Sequence, residues 1–80
     1  MREDASALAR LIEELHRSAS EAERSGFPGM ARRLDECGFC FAHGLAHKER
    51  DERALVEHAR LCLAMWRALL GWASQRGLRD

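Results

Sequence analysis

The chain has 80 residues and a mass of 9.1 kDa, is 46% hydrophobic and 32% charged, and its 13 basic and 13 acidic side chains cancel to a formal net charge of +0. That balance excludes a disordered tail or a fibrous repeat, and it leaves no summed field to draw in nucleic acid or an anionic membrane. Thr, Tyr and Asn are absent and the β-branched aliphatics are Ile12 and Val56 alone, whereas 13 Ala and 11 Leu lie among Glu and Arg, so the composition favours helices and starves strands.

The expectation is an all-α protein, one helical domain over residues 1–80, folded as a three-helix antiparallel bundle. The first helix runs from about residue 4 to 24. It ends at Ser25-Gly26-Phe27-Pro28-Gly29, where Gly26 suits a helix C-terminus and Pro28 the first turn of the next helix. The second runs from about 28 to 48. A charged stretch, Lys48-Glu49-Arg50-Asp51-Glu52-Arg53, then offers Asp51 as a cap for a third helix from about 51 to 75, which closes at Gly77 with Leu78-Arg79-Asp80 fraying. At about 100° per residue, Leu8, Leu11, Ile12, Leu15, Ala19 and Ala22 form one stripe in the first helix. The second gathers Met30, Leu34, Cys37, Phe41 and Leu45, flanked by Cys40, Gly44 and His47. In the third, Leu55, Ala59, Cys62, Trp66, Leu69 and Ala73 form a core stripe that Leu61, Leu63, Met65, Leu70 and Trp72 widen over half the circumference. A helix so broadly apolar needs more than one neighbour, so the bundle is expected to be completed by homodimerisation through the third helix, with Leu61 and Trp72 buried there.

No apolar run approaches the ~18 residues of a membrane span. The N-terminus, Met1-Arg2-Glu3-Asp4, leads straight into an amphipathic pattern without a secretory signal. Three cysteines in a reducing compartment read as thiols or metal ligands before disulfides, and the expected location is the cytoplasm.

The pattern that carries chemistry is Cys37-Gly38-Phe39-Cys40, then His43 and His47, then His58 and Cys62. The i, i+3 spacing puts two sulfurs on one helix face, and the i, i+4 spacing does the same for an imidazole and a sulfur. In an antiparallel hairpin turning near residues 49 and 50, residues whose numbers sum to about 99 share a level. Cys37 then faces Cys62, and Cys40 comes level with Ala59, beside His58. Cys37, Cys40, His58 and Cys62 thus form a Cys3His set suited to Zn²⁺ or Cu(I). The bland alternative makes Cys37 and Cys62 small buried hydrophobes. His43 and His47 project outward as solvated side chains, Met65 reads as core, and Glu13-x-x-His16 reads as surface because the second motif that a di-iron site needs is missing.

Two families resemble this segment. Cys37-Gly38-Phe39-Cys40 with His43 is similar to the C-x-x-C helix of the helical alkylhydroperoxidases, whose proton-transferring histidine stands four residues after the second cysteine, where this chain has Gly44. That resemblance implies a thiol oxidoreductase. Helical copper-storage bundles, which carry many cysteines at i, i+3 and i, i+4, are similar in spacing to Cys37, Cys40, His43, His47, His58 and Cys62, and imply Cu(I) binding. The leading expectation is a small metal-binding protein; the others are a non-enzymatic adaptor or regulator that binds a protein partner through the third helix, and the thiol oxidoreductase.

Overall fold

Three helices in chain order make up the computed structural model, which describes residues 3–47 and 51–79: α1 (Glu3–Arg24), α2 (Pro28–His47) and α3 (Glu52–Gln75). All three pack on one another as an antiparallel bundle, about 42 Å long and 17 Å across. Its boundaries fall within a residue of those read from the breakers, save that Lys48 lies outside the described residues.

The turn between α1 and α2 shows why these residues end one helix and start another. Gly26 has φ 93°, its N–H donates to Glu23 O at 3.2 Å, and the Phe27 N–H donates to Ala22 O at 2.9 Å. This is a Schellman C-cap, which needs a left-handed residue and seals with an apolar contact, supplied here by the fully buried Phe27. The Phe27 carbonyl then accepts from Ala31 N–H at 2.9 Å and opens α2, with Pro28 at its first position.

The same motif closes α3. Gly77 has φ 70°, and the N–H of Leu78 donates to Ala73 O at 3.0 Å. Leu78 is therefore tied to the helix by a backbone bond, and the Arg79 guanidinium lies 6.0 Å from the Phe27 ring centroid. Both residues where fraying is expected thus have a contact with the rest of the fold, and Asp80 lies outside the described residues. Asp51 stands at the N-cap of α3 as expected, yet its side chain makes no capping hydrogen bond, so its contribution there is limited to charge beside the helix N-terminus.

The core joins Leu8, Leu15, Ala19 and Ala22 of α1 to Phe27, to Ala31, Leu34 and Phe41 of α2, and to Leu55, Val56, Ala59, Leu63 and Ala73 of α3. The stripe on α1 matches expectation, with Leu11 and Ile12 at its edge. On α2 Leu34 and Phe41 are buried as expected, but Ala31 and Gly38 on one flank and Gly44 on the other face inward, while Met30, Cys37 and Leu45 are only partly buried. On α3, Val56 and Leu63 join the core, Cys62 and Trp66 are half-buried, and Leu69 is exposed. The physical reason is glycine. An added Cβ at Gly38 would stand 2.7 Å from the His16 ring, and one at Gly44 would stand 3.4 Å from Leu55. Small residues let neighbouring groups come in close, so they mark the contact face that an apolar count assigns to larger side chains.

Candidate functional site

Of the three helix pairs, α1 and α2 pack most closely and α2 and α3 least closely, which leaves a groove along the α2–α3 seam. Its volume is about 700 Å³, and its lining is mainly apolar. Cys37, Cys40 and Phe41 come from α2, and His58, Cys62 and Trp66 from α3. All four residues of the Cys3His expectation therefore line one groove, and His43 stands on its rim.

The register is the one the turn position implies. Cys37 meets Cys62, the Phe41 ring meets His58 edge-to-face at 5.3 Å between centroids, and Gly44 receives Leu55. Each pair sums to 99. The pairing arises because Phe41 and Leu55 are core residues that set the relative height of α2 and α3, and Cys37 and Cys62 then fall one turn beyond Phe41 and His58.

Cys37 and Cys62 are half-buried free thiols, and Cys40 is an exposed one. Burial pushes the Cys62 thiol above its ordinary range, the nearby Cys37 sulfur adds to the rise through its charge, and a hydrogen bond to Cys37 holds the proton further. Each of these causes favours the protonated form of Cys62.

The other two residues reach the groove wall but do not close on the thiol pair. His58 is exposed with its ring against Phe41, and Cys40 faces outward. Among the described residues, no three Cys, His, Asp or Glu side chains are arranged to hold a metal ion together. His43 and His47 are exposed as expected, with ring centroids 4.2 Å apart, and His43 also borders the groove.

The residue that composition and spacing missed is His16. Expected on the surface with Glu13, it is half-buried over Gly38, with Nδ1 2.7 Å from the Asp35 carboxylate and its ring 4.9 Å from that of Phe39. Glu13 is exposed. Gly38 carried the available signal, since a glycine inside a helix with no turn to make marks a close approach. The contacts of His16 are all within the fold, which makes it a packing element between α1 and α2.

A second crevice, of about 820 Å³, separates the N-terminal halves of α1 and α3 and is lined by side chains of both signs, including Asp4, Arg10, Arg53, Glu57 and Arg60. Its mixed charge selects no ligand class. Among the described residues no helix is long and apolar enough to cross a membrane. Compared with known proteins, the chain matches no family model, no curated protein and no solved structure.

Proposed function

We propose that the α2–α3 groove binds a thiophilic metal ion through Cys37 and Cys62, with Cys40 and His58 as the further donors. The observation that supports this most is the Cys37–Cys62 thiol contact inside a groove whose walls hold the remaining two groups. Two thiolates on facing helices suit Cu(I), the soft ion, in their present arrangement. Zn²⁺ needs four donors in a tetrahedron, and so requires the His58 ring to leave Phe41 and Cys40 to turn inward. Ligation replaces the shared thiol proton with the cation, so affinity falls as pH falls. The role fits a cytoplasmic protein, where thiols stay reduced, and a domain short enough to gain from a cross-link between its loosest pair of helices.

Native mass spectrometry of untagged protein, purified under reducing conditions without chelator, tests the reading. The expected result is one metal per chain, lost in Cys37→Ser and Cys62→Ser and kept in His43→Ala. A metal-free protein that also takes up neither Cu(I) nor Zn²⁺ on titration overturns it.

A second reading, an adaptor docking a partner through α3, has its own support: Leu61 is 69% exposed and Trp72 51% exposed on one face of that helix. The thiol oxidoreductase reading has less behind it. Cys37 lies nine residues beyond Pro28, away from the helix N-terminus that lowers a thiol pKa, and the Cys62 thiol is pushed the other way.

A further inference from the structure

The exposed face of α3 is a continuous row: Glu57, Leu61, Ala64, Met65, Ala68, Leu69, Trp72 and Arg76 are all exposed. Their spacing keeps them within roughly 140° of one another around the helix, centred away from the core, with Glu57 at the edge where it also lines the α1–α3 crevice. Six of these eight are apolar, and the exposed His58 and Gln75 share the same arc. Such a row on a small soluble domain marks an interaction surface.

The occupant can be read from the row itself. Turned end to end about a point between residues 66 and 67, the row maps onto itself, each position i meeting position 133 − i. Leu61 then faces Trp72, Ala64 faces Leu69, Met65 faces Ala68, and Glu57 faces Arg76. Even 3-4 spacing makes many helix faces symmetric in this way, so the weight rests on the chemistry of the pairs. Both inner pairs set a small side chain against a large one, which is how two helices approach closely without voids or clashes. The outer pair sets an acid against a base. A parallel arrangement would instead put Glu57 against Glu57 and Arg76 against Arg76. The Arg76 guanidinium already lies 4.7 Å from the centroid of its own Trp72 ring, so the cation is held on the apolar row at the end that Glu57 of a second copy would reach.

We infer that α3 docks antiparallel on α3 of a second copy of this chain, in the register that pairs Glu57 of each protomer with Arg76 of its partner, to give a two-fold dimer of bundles. The surface is self-complementary, as a two-fold interface requires. It borders the thiol groove, with His58 inside the same arc of α3, so the dimer is tested with the groove kept free of metal.

The test is sedimentation equilibrium of the full chain with reductant and chelator present, which separates self-association from any metal-mediated contact. A dimer is expected, and Leu61→Glu, which puts a carboxylate against Trp72 of the second copy, gives a monomer of unchanged helix content by circular dichroism. The register is read by charge reversal. Glu57→Arg and Arg76→Glu each weaken the dimer by roughly tenfold, since each turns two attractive pairs into two repulsive ones. The double variant recovers most of that loss. All these side chains are exposed in the protomer, so their replacement leaves the fold intact. A chain that stays monomeric up to about 1 mM overturns the proposal. So does a dimer that Leu61→Glu leaves untouched, and one in which the double charge reversal is as weak as the two single changes combined excludes this register.

Discussion

The two faces of α2 make opposite uses of glycine. Toward α1, Gly38 opens a notch that the His16 ring fills, and Asp35 and Phe39 fix the ring from either side. Toward α3, Gly44 admits only the tip of Leu55, and one turn further on the helices part around Cys37, Cys40, His58 and Cys62. A closed seam uses its polar groups up: the imidazole and carboxylate between α1 and α2 satisfy each other. The open seam sets two thiols against one another, with a third thiol and an imidazole standing apart from them. Groups of the same chemical kind are structural on one side and available on the other, and what separates them is how closely the helices approach.

The largest expected effect comes from breaking the closed side. Leu15 is fully buried between the helices, so Leu15→Ala should cost about 2–5 kcal/mol. At roughly 4–8 °C per kcal/mol for a domain of this size, thermal melting in chelator should show a drop of ten degrees or more. Cys62→Ala on the open side, melted under the same conditions, should move the midpoint far less, because its half-buried neighbours can relax into the groove. Equal losses at the two sites would mean that the seams do not differ.

The next effect sharpens the comparison at the glycines. Gly38→Ala drives a methyl group to 2.7 Å from the His16 ring, and overpacking of this kind costs about 1–3 kcal/mol, more than the helix-propensity gain of up to about 1 kcal/mol. The variant should melt lower, and His16→Ala in the same chain should remove the penalty, because the notch is then empty. Gly71 is the control. An added Cβ there meets nothing within 4 Å, so Gly71→Ala should raise stability by about 0.5–1 kcal/mol. A Gly38→Ala variant as stable as Gly71→Ala would remove the notch from the account.

The helices themselves were legible because the punctuation was strong: Gly26 and Pro28 each demand one conformation, and both adopt it. The height of α2 against α3 was also legible, since a turn expected near residues 49 and 50, which lie outside the described residues, leaves one register, and Cys37–Cys62, Phe41–His58 and Gly44–Leu55 all occur in it. Which flanking residues are buried was not. Counting apolar side chains placed Met30, Cys37 and Leu45 beside Leu34 and Phe41 on α2, whereas the buried flanks are the small residues Ala31, Gly38 and Gly44. The same blindness hid His16, whose burial depends on a residue 22 positions later having no side chain. Four donors sharing one groove followed from register. Whether they close on a common point depends on rotamers, and spacing says nothing about those.

The smallest effect concerns the thiol pair alone. The proton on Cys62 is held more tightly in the folded chain than in the unfolded one, through burial and the contact with Cys37. A group whose folded pKa is raised gives its full stabilisation below its unfolded pKa and loses it as pH climbs toward the folded one. Metal-free protein should therefore be level in stability through neutral pH and weaken above the ordinary thiol range, about 8.5. Cys62→Ala should flatten that decline, and Cys37→Ala should reduce it in part by removing two of the three causes. The slope should reverse once metal is bound, because ligation requires the thiolate and so gains as pH rises through the same window. Stability measured against pH with and without Cu(I) therefore distinguishes a dithiol that is only packed from one that is a ligand. Coincident curves in the two conditions would leave Cys37 and Cys62 as core residues and turn attention to α3.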